Sequence, residues 1–417
     1  MPFIVSFRLL LFMCALIGLL MSSGDVSGTF LYSDLLENVY IQLPDGRYAR
    51  LKKSIYGLKQ AAHNWFQLFQ NIAVNRVKMK VSSFDSCMYY RREGDTVQSL
   101  MIAHVDDHLQ GTDSVEEKNR IFNELRGKFR VEETTNKNQY LGMNILLKPD
   151  RNCCSMSAYI DRLLEEYGME NAYELAVPPA KLLHPADMMN IDGRHCALIG
   201  KLAWIANTTR PDIAFHVNML QRATTRPTAA HKALALQLLR YLKGTKTFGQ
   251  VYIKPTDGEV IMEAYADAAF GDRKDGYSTG GFVILINGTP ISWRVIGLKY
   301  VATSSTEAEI GALYLACNEV AYIRGLVNEI LPGTFTDPIV VYCDNQPAVA
   351  LVNEEAVAGR TRTILTKLAK IKSLVHDRVV NIEWVTTENN VADILTKPLT
   401  KKPFMRHANK LIGETTS

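Results

Sequence analysis

The stretch Leu100-Met-Ile-Ala-His-Val-Asp-Asp-His-Leu109 is an apolar run broken by two adjacent acids and then resumed. Apolar runs around a short polar break predict a β-hairpin, which puts Asp106 and Asp107 at its tip. Neighbouring carboxylates repel, and no fold needs them side by side. A divalent cation does, because Mg²⁺ takes hard oxygen ligands. Taken alone, the pair also suits a solvated turn, where Asp is common. Four further acids stand out in the C-terminal part of the chain: Asp267, Glu309, Asp344 and Asp393. The residues around each predict a strand end or a helix start, where sites form in open α/β sheets. Four converging carboxylates are intolerable without cations. With two Mg²⁺ they become a hydrolytic site for a phosphodiester. Any one of these acids alone reads as surface, and Thr306-x-x-Glu309 has the spacing of a helix capping box.

The elements that must hold these acids follow from hydrophobic period and turn residues. Residues 9–21 are uncharged and apolar and follow Arg8. They resemble a signal peptide but are short for a membrane span, and we read them as a buried helix. Ser22-Ser-Gly24 makes a poor strand in front of Asp25. Trp65, Leu68, Phe69 and Ile72 recur at helical spacing. Residues 88–90 and 97–103 read as strands around Gly94-Asp95, the second delivering Asp106. Pro178-Pro179 marks a boundary. Leu234, Leu236, Leu238, Leu239 and Leu242 give one helix a broad apolar face. Its cations Lys232, Arg240, Lys243 and Lys246 suit phosphate contact or a solvated face equally well, and His231 reads as a structural or capping residue.

From residue 256 onward the pattern changes. Strands are expected over 260–265, leading to Asp267, then 280–286, 290–295, 339–343 and 379–385. Helices are expected from Ser304, over 346–353 and 363–375, and from Val391-Ala-Asp393. The order βββαβαβα implies a five-stranded mixed sheet covered by helices. Residues 401–417 read as a loosely ordered polar tail.

Composition narrows the class without deciding it. At 417 residues the chain can hold two or more domains, and 47% apolar with 22% charged residues is ordinary for a globular protein. A net charge of +4 permits a nucleic-acid partner without arguing for one. The seven cysteines have no Cys-x-x-Cys pair and no zinc-type spacing, which excludes a disulfide scaffold or zinc module and implies reduced thiols in an intracellular protein.

Several strings together are specific. Asp25-Val with Phe30-Leu31, Tyr56-Gly-Leu-Lys-Gln60 with Trp65, and Val105-Asp-Asp107 resemble, in order and spacing, the reverse transcriptase of Ty1/copia-type retrotransposons. Ile199-Gly-Lys-Leu202, Thr209-Arg-Pro-Asp212 and Tyr241-Leu-Lys-Gly-Thr245 extend the likeness. Tyr265-Ala-Asp-Ala268, Ser304-Ser-Thr-Glu-Ala-Glu309, Asp344-Asn-Gln346 and Ala392-Asp-Ile-Leu-Thr-Lys-Pro398 resemble the ribonuclease H domain of the same polyproteins. The chain departs from the family at His104, where Tyr is usual, and at Ala62-His63, where Pro-Arg is usual.

The resemblance implies an α+β fold: a reverse transcriptase palm-like sheet over 25–150 and a helical connection over 151–255, then an α/β ribonuclease H-like domain over 256–400. Residues 1–24 would precede the palm, without the fingers that the family carries there. Asp25, Asp106 and Asp107 would hold two Mg²⁺ at one site, and Asp267, Glu309, Asp344 and Asp393 two at another, with Mn²⁺ as the alternative ion. Lys59 and Gln60 would touch template and incoming nucleotide, and Asn345 and Gln346 the hybrid backbone. RNA template, DNA primer, RNA–DNA hybrid and deoxynucleoside triphosphates are the implied partners. No membrane partner is expected, and the implied setting is a cytoplasmic particle or the nucleus. The implied activity is RNA-directed DNA polymerisation with hybrid ribonuclease. The alternative is a decayed copy, inactive as a polymerase, that cleaves hybrids or only binds nucleic acid.

Overall fold

In the computed structural model the apolar runs around Asp106 form strands Thr96–His104 and Asp107–Thr112, joined by a two-residue turn. They sit inside a six-stranded sheet ordered Lys80–Val81, Met88–Glu93, Thr96–His104, Asp107–Thr112, Leu20–Val26, Val131–Glu133, paired antiparallel throughout. Strand alternation sorts the side chains onto two faces. Met101 and Ala103 join Trp65, Phe69 and Ile72 of helix Ala61–Asn75 and Phe122 and Leu125 of helix Val115–Arg126 in one buried cluster. Leu100 and Ile102 are fully buried on the alternate positions, and helix Ile4–Ile17 packs against their strand. That helix is buried from Val5 to Ala15. Each enclosed leucine in it contributes about 2 kcal/mol by leaving water. Its close approach depends on Gly111, where a Cβ would lie 2.3 Å from the Cys14 Sγ.

Ser22-Ser-Gly24 corrects one expectation. These residues form the middle of strand Leu20–Val26, because pairing with Asp107–Thr112 and Val131–Glu133 overrides weak strand propensity. Gln110 Nε2 also donates to Ser22 Oγ at 3.1 Å.

The structure describes residues 3–134, 139–148, 151–180, 193–255, 258–273, 275–354 and 362–415. They fall into two units, Met1–Tyr140 with Leu326–Pro332, and Leu141–Gly325 with Gly333–Ser417. The boundaries expected at 150/151 and 255/256 abut residues 149–150 and 256–257, which lie outside the described residues.

The second unit opens with strands Met143–Leu147, Arg151–Ser155 and Phe248–Ile253, paired antiparallel and extended by Gly413–Glu414. Between them run helices Ser157–Glu166, Gly193–Thr208, Ala214–Arg222 and Ala229–Gly244. His231 caps the last of these: its Nδ1 accepts from Thr228 N at 3.0 Å in a reciprocal capping box. The cations on and just beyond that helix are largely engaged within the chain. Arg240 Nε donates to Tyr173 O at 2.7 Å, Lys243 Nζ to Ala172 O at 2.9 Å, and Lys246 pairs with Asp161 at 2.9 Å.

A second five-stranded sheet follows, ordered Thr289–Gly297, Thr279–Ile286, Met262–Ala269, Ile339–Cys343, Val380–Trp384. Its first three strands are antiparallel and its last two parallel to the centre. Thr279–Ile286 is buried along its whole length. Helix Ser305–Ile330 buries the expected stripe Ile310, Leu313, Cys317 and Val320. It is long and apolar enough to cross a membrane by length and composition, but 56% of that window is buried in the fold, as suits a core helix. Residues 401–411 are not a loose tail. They form helix Lys401–Leu411, which is amphipathic and buries Phe404, His407, Ala408 and Leu411.

Candidate active sites

In the first unit, strand register does the positioning. Asp25 lies directly across from Asp107, and Val26 N donates to Asp106 O at 2.9 Å. Asp25 and the adjacent pair Asp106-Asp107, about 80 residues on, therefore lie at the same end of two neighbouring strands, all of them half-buried. The turn between the strands has φ +52° at Val105. Only there in the turn is φ positive, as in a type II′ turn, whose first central position normally takes Gly. A β-branched residue there costs about 1–3 kcal/mol and persists only when its surroundings hold it. Trp65 Nε1 supplies such a hold, donating to Val105 O at 2.7 Å.

On the alternate face, Gly24 lies across from His108. A Cβ at Gly24 would come within 2.3 Å of the His108 ring. Burial pushes the His108 pKa down to about 4. Lys59 is exposed just before helix Ala61–Asn75, and Gln60 stands at its N-cap without a side-chain hydrogen bond there. These two sit on the segment that carries Trp65, five residues beyond Gln60.

The second unit gathers its acids more tightly. Asp267 does not end its strand but lies within Met262–Ala269. The strand runs on past its last parallel pair, Ala266 with Cys343, because Asp267 still pairs with Gly281 on the other side. That register sets Asp267 beside Asp344, the residue after strand Ile339–Cys343. Asp393 sits in a 3₁₀ turn, Val391–Leu395, where an α-helix start was expected. The buried Asn390 fixes this turn, donating from Nδ2 to Ala266 O at 3.0 Å and accepting from Ala392 N at 3.2 Å. The turn lies against the sheet at Gly281, where a Cβ would be 2.9 Å from the Leu395 Cβ.

Glu309 is not a helix cap. Ser304 Oγ accepts from Glu307 N at 3.2 Å, and the Glu307 carboxylate accepts from Thr303 N and Oγ1. The capping role falls to Ser304 and Glu307, two residues before the Thr306–Glu309 spacing, because helix Ser305–Ile330 starts earlier than that spacing requires. Glu309 is thus left to face the sheet, buried.

Ligand atoms of Asp267, Asp344 and Asp393 lie within 4.8 Å of one another, and so do those of Glu309, Cys343 and Asp344. Asp344 belongs to both sets and is tied down by Thr387 Oγ1, which donates to its Oδ2 at 2.7 Å. Among the described residues, Asp25, Asp106 and Asp107 do not form such a set. Asn345 spends its Oδ1 capping helix Gln346–Asn353, accepting from Ala348 N at 2.9 Å, and Gln346 is exposed.

Depth has electrostatic consequences. Burial first, and neighbouring acids next, push the Glu309 carboxyl well above the usual range. Burial also raises Asp267 against the pull of Lys397 and Thr396. Asp393 is pushed up to about 6 by burial and by the Asp267 charge. Lys397 Nζ donates to Asp393 Oδ1 at 2.7 Å and to Asp267 Oδ1 at 3.2 Å, and Thr396 Oγ1 donates to Asp267 Oδ2. Burial works to lower the Lys397 pKa, but the Asp267 charge, the hydrogen bond and charge of Asp393 and the Asp344 charge together outweigh it and raise the pKa. Sequence reasoning singled out neither Lys397 nor Cys343. The available signal for Lys397 was its i,i+4 spacing from Asp393. An all-carboxylate set at this spacing fits a hard divalent cation.

A hairpin-borne acid pair on an antiparallel sheet, then a β-β-β-α-β order in which the first strand lies at the centre of a mixed sheet, make this a reverse transcriptase–ribonuclease H protein by fold. Residues 3–181 match the family model described as "Reverse transcriptase (RNA-dependent DNA polymerase)". The chain is 28% identical over 426 residues to the retrovirus-related Pol polyprotein from transposon TNT 1-94 of Nicotiana tabacum, covering 96% of this chain and 31% of that protein. It is 30% identical over 401 residues to the Pol polyprotein from transposon RE1 of Arabidopsis thaliana, covering 93% of this chain and 27% of the relative. A foamy viral protease-reverse transcriptase, solved in complex with RNA/DNA hybrid, shares the fold at 12% identity and a TM-score of 0.50, over 89% of this chain and 45% of that one. Over nearly its whole length the chain is similar to Pol polyproteins of Ty1/copia-type retrotransposons, and it spans about a third or less of the length of these curated relatives.

Proposed function

We propose that this chain is an RNA-directed DNA polymerase with RNA–DNA hybrid ribonuclease activity, working by two-metal phosphoryl transfer at two separate sites. The observation that carries the reading is the convergence of Asp267, Glu309, Asp344 and Asp393 at one end of a mixed sheet. Asp25, Asp106 and Asp107 are the corresponding ligands of the polymerase site, supported by the Asp25–Asp107 register. Bound Mg²⁺, or Mn²⁺, would supply Lewis acidity to the attacking and leaving oxygens at each. The chain's own part is to hold the carboxylates at ligand spacing and to keep the turn at Val105 rigid. In hybrid cleavage, a water oxygen bonds to phosphorus as the bond to the leaving oxygen breaks.

The partners on this reading are RNA template, DNA primer, their hybrid and deoxynucleoside triphosphates. The hybrid is recognised through its backbone and 2′-hydroxyls more than its sequence. We read the palm as 25–150, the connection as 151–255 and the ribonuclease H-like domain as 256–400. Seven free cysteines support an intracellular setting. A second reading, hybrid cleavage without polymerisation, is favoured by one observation: the palm carboxylates do not converge as the C-terminal four do.

Primer extension on an RNA template, run beside cleavage of a labelled hybrid, decides between them. Both activities with Mg²⁺ and neither with chelator is the expected result. Cleavage without extension selects the second reading, and neither activity defeats both.

A further inference from the structure

We infer that the Lys397 ammonium is a resident cation of the C-terminal site, which an incoming divalent ion must displace. This rests on the metal-site reading above and goes beyond it. Lys397 Nζ lies 2.7 Å from Asp393 Oδ1 and 3.2 Å from Asp267 Oδ1, bridging two carboxylates from different elements. The carboxylates of Asp267 and Asp393 belong to the set whose ligand atoms come within 4.8 Å. An ammonium in that position takes ligand oxygens that a divalent cation also needs, so the two compete. Thr396 Oγ1 adds a donor on Asp267 Oδ2, which leaves the Asp267 carboxylate engaged at both oxygens.

Displacement is physically open to Lys397. Its side chain is 36% exposed, against 1% for Asp267 and 9% for Asp393. A four-carbon stem lets the charged head swing to water while the acids stay fixed. Without metal, the ammonium removes the repulsion that buried acids would otherwise exert. With metal, that role passes to the ion. Lys397 therefore weakens apparent metal affinity while stabilising the metal-free protein, as mass action on two competing occupants requires.

The test uses the full chain and Mn²⁺ alone. Bound ion is counted by electron paramagnetic resonance as the difference between each protein and the same protein carrying Asp344→Asn, which isolates this site. Melting is recorded in chelator and at saturating Mn²⁺. Lys397→Met should bind Mn²⁺ roughly tenfold tighter than the parent. It should melt lower in chelator, and the deficit should close when Mn²⁺ saturates. Lys397→Arg, which keeps the charge, should stay near the parent in both measurements, and Lys397→Gln replaces the Met variant if that does not fold. Unchanged or weaker affinity, or equal melting deficits with and without Mn²⁺, overturns the inference. Parent protein that binds no more Mn²⁺ than its Asp344→Asn variant overturns the metal-site reading instead.

Discussion

The two acid sites solve the same electrostatic problem at different depths. In the N-terminal sheet, Asp25, Asp106 and Asp107 are half-buried at strand ends, where water screens them. Their geometry is held by the backbone: register with Asp25, and a strained turn clamped by Trp65. At the C-terminal site, Asp267, Glu309 and Asp393 are buried. Buried charge is costly unless it is paired or neutralised, and both remedies are present: Lys397 pairs with Asp267 and Asp393, and the Glu309 carboxyl is raised. Depth thus separates a site assembled by strand geometry from one assembled by charge compensation. The deep site is already at ligand spacing, and the shallow one is not.

The comparison breaks most severely if the sites are not independent. Asp344→Asn should cut hybrid cleavage by about a thousandfold, the several kcal/mol that a lost metal ligand removes, and leave primer extension intact. Asp106→Asn should do the reverse. Loss of both activities in either variant would show one shared site. A smaller effect sharpens the backbone side of the contrast. Trp65→Phe removes the donor to Val105 O, leaving a carbonyl short of a partner at a cost of about 1–3 kcal/mol. Primer extension should fall about tenfold while hybrid cleavage holds, read from the two assays on one preparation.

The smallest expected effect concerns pH. The Asp393 carboxyl is raised to about 6, and Asp267 and Glu309 are raised as well. A metal binds the deprotonated acids, so affinity is lost as pH falls through this range. Hybrid cleavage should drop roughly tenfold per unit below about pH 6, or more steeply as further groups protonate. For the metal-free protein the sign is opposite. A carboxyl raised on folding contributes stability below its unfolded pKa and loses that contribution as pH rises through about 6. Added Mg²⁺ should therefore raise the melting temperature more at pH 8 than at pH 5. A constant increment would remove charge compensation from the account of the deep site.

Much of the local structure could be read from pattern. The strand expected over 339–343 is observed as Ile339–Cys343, and the helix over 346–353 as Gln346–Asn353, because a run of β-branched and aromatic residues and a turn residue before a helix are local signals. The acids at issue were also visible by type and spacing. What pattern misjudged were positions whose state depends on distant partners. Ser22-Ser-Gly24 is a strand because two neighbours pair with it. Residues 401–411 are ordered because the core receives Phe404 and Leu411. Glu309 escapes capping because Ser304 and Glu307 do that work.

By itself, then, the order of residues determined which acids matter and most of the strands and helices around them, since side-chain type and period act over a few residues. Only the tertiary structure decided which acids share a site, how deep each lies and what neutralises it. Lys397 reaches Asp267 across 130 residues of chain, and desolvation is set by everything packed around a carboxylate, so neither can be read from its neighbours in sequence.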